Sequence, residues 1–137
     1  MNQTNETNQM NQTNQKTILV AVNDLFFYTK VRDALVPEGY RLEKARAQQD
    51  IMEKTSATSP AAVILDMNDR AIDPFQALQT LKHDPHINAI PVLAYANHEE
   101  VETWNRARTL GVTKIVSRNE FSARTLELVE QVTKVKV

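Results

Sequence analysis

Cysteine is absent from the 137-residue chain, which excludes disulfides and thiolate metal sites. Glycine is nearly absent too: only Gly39 and Gly111 occur, so there is no dinucleotide fingerprint and no phosphate-cradling loop. No apolar run approaches the roughly 18 residues that a membrane helix needs, and the first residues lack the apolar core of a secretory signal. A cytoplasmic address is expected. Charge of one sign is missing as well. Sixteen basic against seventeen acidic side chains leave a net charge of -1, so no global field draws the chain to nucleic acid or to an anionic bilayer, and neither is expected as a partner.

What the chain does contain begins with a low-complexity segment. Met1 to Gln15 is almost entirely Asn, Gln and Thr, and such a stretch has too little apolar surface to offset the entropy of ordering itself. Residues 1–16 are therefore expected to form a disordered tail, and residues 17–137 one folded domain. Asn2-Gln3-Thr4, Asn5-Glu6-Thr7 and Asn11-Gln12-Thr13 match the glycosylation pattern, but a tail built from Asn and Thr generates it by composition.

From Thr17 the pattern changes to a short β-branched apolar run, the mark of a strand covered on both faces. Asp24 can cap the next segment, where Phe27, Val31, Ala34 and Leu35 share a helical face before Pro37 and Gly39 end it. Tyr40 to Ala45 reads as a weaker strand, Gln48 to Thr55 as a helix, and Ala61 to Leu65 as a second apolar strand stopping at Asp66. Asp73-Pro74 reads as the N-cap and first residue of a helix with Phe75, Leu78 and Leu81 on its inner face. Ile90 to Ala94 is expected as a fourth strand, Glu99 to Leu110 as a helix closed by Gly111, and Thr113 to Val116 as a fifth strand. A single last helix carries Phe121, Thr125, Leu128, Val129 and Val132 on one face. Strict β-α alternation implies an α/β domain, a doubly wound five-stranded parallel sheet with helices on both faces.

In such sheets chemistry lies beyond the carboxyl ends of the strands. The residues to read are therefore Val22-Asn23-Asp24, Asp66, Tyr95-Ala96-Asn97 and Ser117-Arg118. No nucleophile–base pair stands among them, so neither a hydrolase nor a nucleotide-binding enzyme is favoured. His83, His86 and His98 show no helical ligand spacing and receive no role.

On these residues the chain resembles the receiver domain of bacterial two-component response regulators, over Thr17 to Val132. Ile18-Leu19-Val20 resembles that family's first strand, Ile64-Leu65-Asp66 the strand presenting the phosphoacceptor, and Lys82-His83-Asp84-Pro85 with Ile90-Pro91-Val92 the third-helix exit and fourth strand. The resemblance implies a flavodoxin-like sheet of order 2-1-3-4-5, with Asp66 at the phosphoacceptor position and Mg²⁺ as the ion that lets a carboxylate attack an anionic phosphoryl group.

Set against that family the site is depleted. The two acids after strand one match Val22 and Asn23, with Asp24 one residue late. The Thr or Ser after strand four is Ala96, the lysine after strand five is Arg118, and the switch aromatic is Ile115. Asp69-Arg70 stand where Met-Pro follows the acceptor. The Mg²⁺ site implied by Asp24, Asp66 and the Asn68 carbonyl is weakened accordingly.

The reading that follows is a single-domain, receiver-like module of phosphorelay signalling with an impaired phosphorylation site. It would act as a shuttle or adaptor by docking, since no DNA-binding helix pair follows. The alternative is a working receiver phosphorylated on Asp66 by a histidine kinase with Mg²⁺. A third possibility for Asp66 is a strand-end acid that merely pairs with Arg118 or caps a turn. Trp104 and Arg108 mark the face that receivers use for partners or homodimers, and the bland reading of Trp104 is packing with Val101 and Leu110.

Overall fold

The computed structural model describes residues 16–134, so the expectation of a disordered Asn/Gln/Thr tail falls on residues outside the described range, Lys16 excepted. Lys16 is ordered backbone, its carbonyl accepting the Arg41 N–H at 2.8 Å. Five strands, β1 (Thr17–Ala21), β2 (Arg41–Lys44), β3 (Ala62–Asp66), β4 (Val92–Ala96) and β5 (Lys114–Ser117), form one sheet of order β2-β1-β3-β4-β5. Every pairing is parallel. The fold class is that implied by the β-α alternation, and the strand order is that implied by the family resemblance.

The helices are α1 (Leu25–Leu35), α2 (Gln48–Thr58), α3 (Pro74–His83), α4 (Val101–Thr109), α5 (Arg118–Ala123) and α6 (Thr125–Lys134). Because β1, β3 and β4 are covered on both faces, they are apolar almost throughout, and alternate residues feed two cores. Leu19, Val63, Leu65 and Ala94 pack against Ile51 of α2, Leu78 of α3 and Ala107 of α4. Ile18, Val20, Ile64 and Tyr95 face Val31 of α1, Phe121 of α5 and Leu128 of α6.

Local signals explain most boundaries. Asp24 caps α1 by accepting the Phe27 N–H at 3.0 Å, and Asp73 caps α3 by accepting from Phe75 and Gln76 at 3.1 Å. Past α1 a short 3₁₀ turn, Val36–Glu38, ends at Gly39, whose φ of 94° suits a residue without Cβ.

Three expectations need correction. β4 runs from Val92 to Ala96, two residues later than expected, because Pro91 has no N–H for the ladder and the Ile90 carbonyl is taken by Lys82 Nζ at 3.1 Å. Tyr95 and Ala96 thus lie inside the sheet. α4 begins at Val101 rather than Glu99, because Asn97 to Glu100 form a tight turn in which the Glu100 N–H bonds to the Asn97 carbonyl. The last helix is two helices. At Arg124 (φ −133°, ψ 33°) the backbone leaves helical geometry, the Thr125 hydroxyl takes the Phe121 carbonyl at 2.7 Å, and the Arg124 guanidinium pairs with both Glu120 and Glu127. The expected inner face survives the break, since Phe121, Thr125, Leu128, Val129 and Val132 are all buried.

Candidate functional site

The carboxyl ends of β1 and β3 and the first residue of α5 converge on a pocket of about 330 Å³ lined by Asn23, Asp66, Asp69 and Arg118 among others. Asp66 belongs to the sheet. Its backbone is paired with Tyr95 and its side chain is only 4% exposed. One oxygen, Oδ1, accepts the Asn68 N–H at 2.8 Å and faces Arg118 Nη1 at 3.6 Å. Burial pushes the Asp66 carboxyl above the usual carboxylate range; the Asn68 hydrogen bond and the Arg118 charge oppose this, and the nearby Asp69 charge adds to it. The expected Asp66–Arg118 pair is formed.

Arg118 is held from a second direction. Its guanidinium lies 4.4 Å over the Phe27 ring and 5.4 Å from that of Tyr95. Phe27, Tyr95 and Phe121 stack in sequence, with centroid separations of 5.1 and 4.4 Å. The Tyr95 hydroxyl is buried near Asp66 yet has no partner with hydrogen-bond geometry. Burial first, and then the Asp66 charge, drive its pKa far above that of a free phenol.

Asn23 stands in the cleft with its amide turned toward another residue of the site. Its backbone N–H donates to Asp69 Oδ1 at 2.8 Å, and Nδ2 donates to Asp69 Oδ2 at 3.1 Å and to the Ala45 carbonyl at 3.3 Å. Asp69 Oδ2 also accepts the N–H groups of Ala71 and Ile72, both at 3.0 Å. Asp69 is the site residue that sequence reasoning passed over. In the sequence it stands only as a departure from Met-Pro. The available signal was a second acid three residues past the strand end, followed by N–H groups it can cap. Phe27, by sequence a helix-face residue, also belongs to the site, and Tyr95, one of the strand-exit residues, enters it from inside β4.

The remaining expected residues are dispersed. Asp24 lines the pocket but its Oδ1 caps α1. Asn68 Nδ2 reaches Glu100 at 2.9 Å, tying the β3–α3 loop to the start of α4. Ala96 is buried at the end of β4, opposite Ser117, and supplies no hydroxyl. Trp104 lies away from the pocket, half-buried against the core, with its indole N–H donated to the Asn97 carbonyl at 2.9 Å. Arg108 covers the Trp104 ring at 5.4 Å. Val101, proposed as its packing neighbour, is instead 61% exposed.

A divalent hard cation needs several oxygen donors with free lone pairs converging on one point. Here the Asn23 nitrogen rather than an oxygen faces Asp69, every described donor around Asp69 is an N–H, and Arg118 fixes a positive charge beside Asp66. Among the described residues no group of three or more His, Cys, Asp or Glu side chains is arranged to hold a metal. The surroundings of Asp69 and Asn23 therefore do not offer Mg²⁺ the converging free oxygens it needs.

A doubly wound sheet of this order with an aspartate ending its central strand defines the receiver type of fold. Solved structures share it. The signal receiver domain of a response regulator from Bermanella marisrubri superposes with a TM-score of 0.77 at 19% identity, covering 88% of this chain and 99% of that one. The receiver domain of sensor histidine kinase PA1611 from Pseudomonas aeruginosa, which holds a magnesium ion in its active-site cleft, gives 0.76 at 13% identity over 87% and 98% of the two chains. By sequence the chain is similar to Protein RcaC of Microchaete diplosiphon, at 26% identity over 119 residues. That match covers 84% of this chain and 18% of the relative's length. No protein-family model matches. Among the described residues no helix is long and apolar enough to cross a membrane.

Proposed function

We propose that residues 17–137 act as an atypical receiver in two-component signalling, a cytoplasmic protein-interaction module in which Asp66 is withheld from the ordinary phosphorylation cycle. The supporting observation is the pairing of Asp66 with Arg118 in a cleft where both carboxylate oxygens of Asp69 face N–H donors. Phosphoryl transfer to a carboxylate brings two anions together and requires mobile positive charge and hydrogen-bond donors at the transition state. Arg118 carries a charge, but stacking on Phe27 restricts its reach, and Ala96 offers no donor. The module's partners are then a histidine kinase or a downstream signalling protein, engaged through a face that includes exposed Arg108 beside Trp104, with a homodimer as the competing use of that face. It is not an enzyme in this reading.

A working receiver phosphorylated on Asp66 is the second reading. It draws on one feature: Asp66 borders the pocket, and its Oδ2 accepts no hydrogen bond from the described residues. Intact mass after incubation with a small phosphodonor and Mg²⁺, beside an Asp66→Asn variant, separates the two. Absence of an adduct, with no amide shifts on adding beryllofluoride and Mg²⁺, supports the atypical module. A base-labile adduct that disappears in Asp66→Asn establishes the working receiver.

A further inference from the structure

We infer that Asp69 is a positioning residue that joins the β1–α1 and β3–α3 loops by hydrogen bonds, with no ion needed between them. The two loops meet only a few residues from Asp66, and each carries groups that would drift apart without a link. Asp69 Oδ1 accepts the Asn23 backbone N–H, and Oδ2 accepts Asn23 Nδ2 and the N–H groups of Ala71 and Ile72. Four donors converge on one half-buried carboxylate, and hydrogen bonds to an ionised acceptor are among the stronger ones in proteins. The second hydrogen of Asn23 Nδ2 goes to the Ala45 carbonyl beyond β2, so the tie spans three strand exits.

The chemistry at position 23 decides which kind of bridge forms. An amide presents donors to Asp69 and closes the link with no ion. A carboxylate at the same place would put two like charges at hydrogen-bond distance, and a divalent cation would be needed to hold them together. Asn23 and Asp69 are therefore a matched pair. The link between the two loops needs no ion, and it rests on Asn23 and Asp69 alone.

Amide hydrogen exchange and thermal unfolding of the full chain, with MgCl₂ or with EDTA, test the pair. The wild type is expected to show the same melting temperature and the same protection in both buffers. Asp69→Asn is expected to speed exchange at Asn23, Ala71 and Ile72 by roughly tenfold or more while leaving the distant core of α6 protected. Asn23→Asp is expected to melt lower than the wild type in EDTA and to recover in MgCl₂, a cation dependence that a purely structural defect would not create. A wild-type melting temperature that rises with MgCl₂, with amide shifts at Asn23 and Asp69, overturns the inference, as does unchanged protection in Asp69→Asn. Failure of the atypical reading appears instead as a phosphoryl adduct on Asp66, read by intact mass, whereas the exchange comparison of Asp69→Asn with the wild type is made in EDTA without phosphodonor.

Discussion

Arg118 lies between Phe27 and Asp66, its guanidinium 4.4 Å above the aromatic ring and 3.6 Å from the carboxylate. A planar cation can stack and pair at once, whereas an ammonium on a flexible stem is a compact, strongly hydrated point charge. The Arg118→Lys and Phe27→Leu substitutions should therefore be coupled. In chemical denaturation a double-mutant cycle is expected to return an interaction of about 0.5–2 kcal/mol. Strict additivity would mean that the two groups only happen to be adjacent.

Burial disfavours the charged form of Asp66 in the folded chain, so its carboxyl titrates higher there than when unfolded. Between those two pKa values the native state holds more protons, and stability falls as pH rises through that window. Asp66→Asn should accordingly stabilise the fold at neutral pH, with the gain shrinking as pH falls from the raised native value to the ordinary carboxylate range and absent below it. Melting curves of both proteins across pH check the sign. A variant less stable at neutral pH would show that the Arg118 pairing outweighs desolvation.

The Tyr95 hydroxyl is a buried polar group with no hydrogen bond. Its removal in Tyr95→Phe keeps the stack with Phe27 and Phe121 and eliminates a desolvated oxygen. The expected result is a neutral to stabilising change of up to about 1 kcal/mol by urea denaturation. A loss of that size would instead reveal a hydrogen bond from Tyr95 to Asp66 in solution.

Trp104 is the sole tryptophan, and its indole N–H closes the turn before α4. Trp104→Phe should cost about 0.5–1.5 kcal/mol through that hydrogen bond. In the wild type, emission should be that of a partly shielded indole and should shift red on unfolding. An already fully red-shifted native spectrum would place the ring in water and return it to the status of a free docking residue.

The sheet was legible because each central strand is buried on both faces, which leaves an uninterrupted apolar run with a polar exit. Asp66 and Arg118 could be found at such exits for the same reason. Asp69 could not, because its importance comes from Asn23, far away in sequence and brought close only by the pairing of β1 with β3. Tyr95 was misplaced by the two-residue error in β4 that Pro91 caused. The division of the last helix escaped because a 3.6-residue period is nearly preserved across Arg124, and periodicity senses which face is buried rather than whether the backbone is continuous.

That division has a structural meaning. Ser117 caps α5 through its hydroxyl, and Arg118 is the first residue of that helix, so the side chain touching Asp66 is rooted in a six-residue segment. The unwound residue at its far end sets that segment apart from α6, which Leu128, Val129 and Val132 hold to the sheet. The placement of the guanidinium is thus settled within one short segment, by the Ser117 cap at its start and the buried Phe121 inside it, and owes little to the longer carboxyl-terminal helix.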